Sequence, residues 1–181
     1  GAAWHRYAET APGGVNGDDV HATHAGYQVL GGAETPVRRW IALAAEASFV
    51  ARSVDTHTEH LQQTLERAGR HAGSSFVEVL QNCNIFNDGA WRDFTDREVR
   101  EDRMLVLEHG KPMIFGKDRD KGIRLSGLHP EVVTIGENGV TEADLLVHDE
   151  QAEEPYLALM LSRMFWPAYP VPVGVLRAVA R

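Results

Sequence analysis

The chain has 181 residues, and 18 Lys and Arg against 26 Asp and Glu give a formal net charge of −8, with hydrophobic residues at 43 %. That apolar share supports a packed core and excludes a wholly disordered chain. The acidic balance argues against nucleic-acid and membrane-surface binding, both of which need clustered positive charge. A single cysteine, Cys83, rules out an internal disulfide framework. No run of about 18 apolar residues predicts a membrane span. No secretory signal is visible at the N-terminus, so a cytoplasmic location is expected.

Residues 1–35 read as loop-rich or disordered, with turn residues at 11–19 and a Gly31-Gly32 break. A helix is expected to open at Thr35-Pro36 and to carry Val37, Ile41, Ala44 and Ala45 at helical spacing. Residues 48–52 form a short apolar run, read as a buried strand. Thr56-His57-Thr58-Glu59 fits a capping box, in which hydroxyl and carboxylate satisfy free N–H groups reciprocally. The helix it opens is expected to place Leu61, Leu65, Ala68 and Ala72 on one face and to end at Gly73. Residues 75–80 read as a second strand. This succession has the length of a parallel crossover unit, which belongs to α/β sheets covered on both faces. Two strands do not complete such a sheet, so others must come from later in the chain or from sequence before residue 35.

Residues 82–89 form a polar loop in which Cys83, Ile85 and Phe86 are of a buried type. Thr95-Asp96-Arg97-Glu98 repeats the capping-box pattern and predicts a short charged helix to about Arg103. Strand-like pieces follow at 105–107, 113–115, 122–125, 132–135 and 145–147, separated by turn signals. A last helix over 155–165 should turn Leu157, Met160, Leu161 and Met164 inward. Pro167, Pro170 and Pro172 then impose extended chain, and residues 173–177 predict a final strand.

Cys83 stands just past the carboxyl end of the second predicted strand, the edge at which open α/β sheets bind ligands. Three readings are open: a small buried hydrophobe, a nucleophile with His109 as base, or one thiolate of a metal or cluster site. The pairs His21/His24 and His57/His60 read as surface residues, and His109 and His148 as strand-end histidines. Glu78 interrupts an apolar strand and needs a partner there, for which Arg52 is the candidate. No glycine-rich phosphate loop is present.

The run Ile41 to Ser53, then Ser75-Phe-Val-Glu-Val-Leu-Gln-Asn-Cys-Asn-Ile-Phe-Asn87, resembles the β subunit of 2-oxoacid:ferredoxin oxidoreductases, most closely the 2-oxoglutarate type. Leu107 to Gly116, Leu145 to Asp149 and Pro172 to Val179 match in the same order. The resemblance implies an α/β fold: a partial thiamine-diphosphate-binding-type parallel sheet with flanking helices at 36–104, then a small mixed α+β C-terminal extension at 105–181. It implies oxidative decarboxylation of 2-oxoglutarate or a related 2-oxo acid to its acyl-CoA, with electrons passed to ferredoxin. The implied cofactors are thiamine diphosphate, Mg2+ and an iron–sulfur cluster of the 4Fe-4S type. The implied partners are an α subunit, ferredoxin, coenzyme A and the 2-oxo acid. Cys83 matches the position of the fourth cluster ligand.

The departures are concrete. The family's Cys-x-x-Cys pair and its Gly-Asp-Gly…Asn magnesium signature are absent, and residues 1–35 match nothing in the family. The expectation is a C-terminal portion of a β subunit, an enzyme by resemblance but inactive alone. The competing expectation is a non-catalytic α/β binding or interaction module with Cys83 in its core.

Overall fold

A computed structural model describes residues 47–179. The helix expected from Thr35, the loop-rich segment and His21 and His24 lie outside these residues.

The crossover unit forms as its spacing predicts. Strand β1 (Phe49–Val54), helix α1 (Thr58–Arg70) and strand β2 (Ser75–Leu80) follow in order. β1 and β2 pair in parallel, from Phe49 opposite Ser75 to Val54 opposite Leu80. Every residue of β1 is buried, whereas β2 is partly exposed. The difference reflects position, since among the described residues β2 lies at an edge and β1 is flanked on both sides.

Helix α1 departs from its expected limits. His57 occupies the N-cap without a side-chain capping bond, so the Thr56/Glu59 box does not form. The helix stops at Arg70, and Gly73 instead serves the connection to β2 with φ 141°. Its inner face carries buried Thr64 and half-buried Leu61 and Ala68, while Leu65 is 49 % exposed. Thr64 is tolerated inside because its hydroxyl donates to the His60 carbonyl at 2.7 Å.

Two single-turn helices, α2 (Arg92–Thr95) and α3 (Arg100–Arg103), replace the one helix expected after Thr95. The Thr95 hydroxyl donates back to the Trp91 carbonyl at 2.9 Å, closing α2 instead of capping forward.

Strands β3 (Met104–Val106) and β7 (Val171–Ala178) complete a four-stranded sheet in the order β2-β1-β7-β3. β7 runs antiparallel to β1 and parallel to β3. Proline inside a central strand normally breaks the ladder. Pro172 is accommodated because the β1 pairing reaches only from Gly174 to Ala178, while β3 pairs with Val171 to Val173. Gly174, at φ 118°, lets the backbone of Leu107 pass: an added Cβ would stand 3.0 Å from the Leu107 oxygen.

A second sheet is antiparallel, in the order β4 (Ile114–Phe115), β5 (Lys121–Ser126), β6 (His129–Thr134). The strand expected at 145–147 is reduced to one bridge between Pro112 and Val147. Before it, Thr141 and Asp144 close a capping box around a 3-10 turn. Helix α4 (Tyr156–Arg163) supplies Leu161, which joins Met164, Val50, Leu105, Ile123 and Leu176 in one apolar cluster linking both sheets. Each such side chain contributes about 1.5–3 kcal/mol on burial. The result is a mixed α/β arrangement of parallel and antiparallel strands. No helix among the described residues is long and apolar enough to cross a membrane.

Candidate functional site

The loop after β2 is built by its asparagines. The Asn87 carboxamide oxygen accepts from the Cys83 N–H at 2.6 Å, and the Asn87 N–H donates to the Cys83 carbonyl at 2.9 Å. Asn87 Nδ2 and Trp91 Nε1 both donate to the Gln81 carbonyl. The Asn82 N–H donates to Asp55 Oδ2 at 3.1 Å, which ties the loop to the carboxyl end of β1. The Asn82 side chain spans the loop by donating to Asn84 Oδ1 and Asp88 Oδ1 and accepting from the Gly89 N–H. Short Asn and Asp side chains replace backbone partners in such turns. Asn82, Asn87 and Asp55 were not singled out from the sequence, although the repeated asparagines around Cys83 carried that signal.

Cys83 is half-buried in this frame, not a core residue. Ile85 and Phe86, of a type expected inside, are 83 % and 88 % exposed. The apolar support beneath the loop comes instead from Trp91, Phe94 and Phe165, whose rings meet edge-on or tilted at 5.3–6.1 Å. The hydrogen-bond frame holds the loop outward, so its tip projects to solvent.

The expected pair between β1 and β2 forms. Arg52 Nε donates to Glu78 Oε2 at 2.7 Å, with the Arg52 side chain 1 % exposed and Glu78 21 %. Arg52 also donates to the carbonyls of Pro172 at 3.2 Å and Ser162 at 3.1 Å. A buried guanidinium is tolerable only with such multiple acceptors. Glu78 is thereby paired within the sheet.

His60 departs from the surface expectation. His60 is half-buried and hydrogen-bonded to Ser53 Oγ at 2.8 Å, with its ring stacked on His57 at 5.3 Å. Burial, and then the neighbouring His57, push its pKa below 6.5. His148 is 1 % exposed and its Nε2 donates to the Val175 carbonyl at 2.7 Å, so it sits deep beside β7. Its Nδ1 has no hydrogen-bond partner among the described residues. Burial lowers its pKa below the ordinary 6.5. His109 accepts from the Glu150 N–H and faces Asp149 at 3.6 Å. No hydrogen bond joins it to Cys83 among the described residues, so the Cys83/His109 nucleophile–base pair does not form.

Among the described residues, no group of three or more His, Cys, Asp or Glu side chains is placed to hold a metal ion. Cys83 is half-buried at a strand end, and the chain has no second cysteine, so its own residues do not complete a four-thiolate cluster site. The residues present do not fit a complete thiamine diphosphate–magnesium centre, because the sequence lacks the acidic and amide ligands of that signature.

Comparison with known proteins agrees with the resemblance carried by these residues. The chain is 38 % identical over 124 residues to the 2-oxoglutarate oxidoreductase subunit KorB of Mycobacterium tuberculosis, covering 68 % of the chain and 32 % of that relative. It is 35 % identical over 68 residues to subunit beta of 2-oxoacid:ferredoxin oxidoreductase 1 of Aeropyrum pernix, 38 % of this chain and 20 % of the relative. The corresponding subunit of Saccharolobus solfataricus is 30 % identical over 59 residues, 33 % of this chain and 19 % of the relative. No family model and no solved structure matches. The chain is therefore a homologue of the β subunits of 2-oxoacid:ferredoxin oxidoreductases, matching about a third of the length of the Mycobacterium tuberculosis relative.

Proposed function

We propose that the chain is the C-terminal portion of a β subunit of a 2-oxoacid:ferredoxin oxidoreductase. In the complete enzyme, with an α subunit, 2-oxoglutarate or a related 2-oxo acid is oxidatively decarboxylated to its acyl-CoA and ferredoxin takes the electrons. Thiamine diphosphate supplies the carbanion chemistry when bound, and its ligands, with Mg2+, belong to sequence outside this chain. The four-stranded sheet corresponds in this reading to part of a thiamine-diphosphate-binding-type fold. Cys83 is one ligand of the 4Fe-4S cluster. A reducing cytoplasm keeps such a thiol available.

The observation that carries this reading is the Cys83 loop. A half-buried thiol stands at the carboxyl end of a parallel strand, on a backbone pinned by Asn82 and Asn87. Thiolate ligands need that combination of access and rigidity. The core-residue alternative requires an enclosed Cys83, which the loop does not provide.

A chimera tests the reading. The matched 124 residues replace their counterpart in the Mycobacterium tuberculosis subunit, which is assembled with its own partner subunit. Iron content and 2-oxoglutarate-dependent dye reduction should match the parent enzyme, and Cys83→Ser should lower both. A folded chimera in which Cys83→Ser leaves iron and activity unchanged sinks the assignment.

A further inference from the structure

Beyond β6 the chain turns tightly at Glu137-Asn138-Gly139-Val140. The Val140 N–H donates to the Glu137 carbonyl at 2.9 Å, and the Gly136 N–H to the Val140 carbonyl at 2.8 Å. Asn138 and Gly139 adopt φ 50° and 77°. Two successive left-handed residues make a type I′ turn, and Asn-Gly is the pair that enters it at least cost. Both residues are exposed, whereas Val140 is buried in one apolar cluster with Ile114 and Leu145.

Asparagine followed by glycine also carries a chemistry of its own. The glycine amide nitrogen, unhindered by a side chain, attacks the asparagine carboxamide carbon. Among the described residues, glycine follows Asn or Asp at Asp88-Gly89 and at Asn138-Gly139. The two places differ in what the structure leaves free. The Gly89 N–H is spent on Asn82 Oδ1 at 2.8 Å, and Asp88 Oδ1 accepts from Asn82 Nδ2 at 3.1 Å with Arg92 3.9 Å away. Neither the Gly139 N–H nor the Asn138 carboxamide makes a hydrogen bond among the described residues. Ring closure there needs only the peptide at the tip to rotate, and a solvent-exposed turn opens locally at little cost.

We propose that Asn138 is a site of spontaneous deamidation, converted by water to aspartate and isoaspartate. The Gly139 nitrogen bonds to Asn138 Cγ and gives up its proton, the Cγ–Nδ2 bond breaks, and ammonia leaves a cyclic succinimide behind. Water then opens either ring carbonyl. One opening restores the peptide bond as aspartate, and the other routes the chain through the side chain as isoaspartate. Either product places a new carboxylate beside Glu137. Isoaspartate also adds a backbone carbon inside the turn, so the hydrogen bond from Val140 to Glu137 is lost and Val140 is less firmly held in its cluster. The inference rests on this turn alone and does not depend on the role of Cys83.

Incubation of the full chain at mildly alkaline pH, with and without guanidinium chloride, tests it. Peptide mapping by mass spectrometry follows the conversion of Asn138, apart from that of Asn16-Gly17, and enzymatic methylation marks isoaspartyl groups. In the native chain Asn138 should convert within about tenfold of its rate in denaturant, because little opening is needed. Asp88 should form isoaspartate in denaturant but not detectably in the native chain. Asn138→Gln should abolish the methylation of that peptide, and hydrogen exchange at the Val140 amide should quicken in the converted chain. Conversion of native Asn138 more than about tenfold slower than in denaturant overturns the proposal. So does native Asp88 keeping pace with Asn138, or methylation that persists in Asn138→Gln. Unchanged exchange at Val140 in the converted chain overturns the consequence drawn for the turn.

Discussion

Arg52 and Glu78 are register partners across β1 and β2, and their side chains meet at 2.7 Å. A one-residue slip of either strand would carry one of them to the opposite face of the sheet. The pair thus ties an electrostatic preference to a single alignment, with the guanidinium further anchored on Pro172 of β7 and on Ser162 of α4.

Replacing Arg52 with Met should cost about 3–5 kcal/mol, the range for breaking a buried charge network. Glu78→Gln, at a partly exposed position, should cost about 1–3 kcal/mol. Urea unfolding followed by tryptophan fluorescence measures both. Equal, small losses would show that the pair contributes little to this sheet.

The Asn87 side chain should govern access to the thiol. Asn87→Ala removes the acceptor of the Cys83 N–H and the second donor to the Gln81 carbonyl. Alkylation of Cys83 by iodoacetamide in the native chain should then accelerate several-fold, read by mass spectrometry. Unaltered kinetics would mean that the loop frame does not limit access.

Stability should fall on acidification below pH 6.5. His148 and His60 have pKa values lowered in the folded chain, chiefly by burial, so the unfolded state binds more protons in this window. The contribution is complete above their ordinary value of 6.5 and is lost as pH falls through the lower folded values. Asp102, held down by its hydrogen bond from Lys121, acts in a separate window beginning near 3.8. In His148→Gln the urea midpoint should vary less with pH between neutrality and this lower range. An identical profile would contradict the role given to His148.

Gly174→Ala should destabilise by about 2–3 kcal/mol, because it meets both the left-handed backbone and the Leu107 oxygen. Thermal unfolding provides the comparison, and Gly110→Ala, where an added Cβ meets nothing within 4 Å, controls for the conformational cost alone.

Phe86→Ser should change stability by less than about 0.5 kcal/mol, as expected of an exposed side chain. Phe94→Ala, at 2 % exposure, should cost about 3–5 kcal/mol. A large loss at Phe86 would place it against apolar surface in solution.

The parallel unit was legible because β1 and β2 are short apolar runs separated by a helix of the right length, and Glu78 within β2 demanded a cation. The helix limits were less so. Thr56-x-x-Glu59 and Thr95-x-x-Glu98 both match a capping box, but in the fold His57 takes the first cap and Thr95 bonds backward to Trp91. Local hydrogen bonds of equal quality competed, and sequence spacing does not rank them. Ile85 and Phe86 misled because hydrophobicity predicts burial only where a packing surface is available, and Trp91 and Phe94 take that surface. His148 was hidden for the opposite reason. Its burial depends on the Val175 carbonyl, 27 residues along the chain.

The position of β7 also bears on the order in which the molecule is made. β1 is flanked by a strand that emerges some 120 residues after it, as the Arg52–Pro172 hydrogen bond records. Among the described residues, the β1–α1–β2 unit therefore waits during synthesis with one flank open, and β3 has no neighbour in its sheet until the same segment arrives. A ribosome-bound chain halted before Val171 should be captured by chaperones and cut readily by protease, and release of the remaining residues should close both seams in one step.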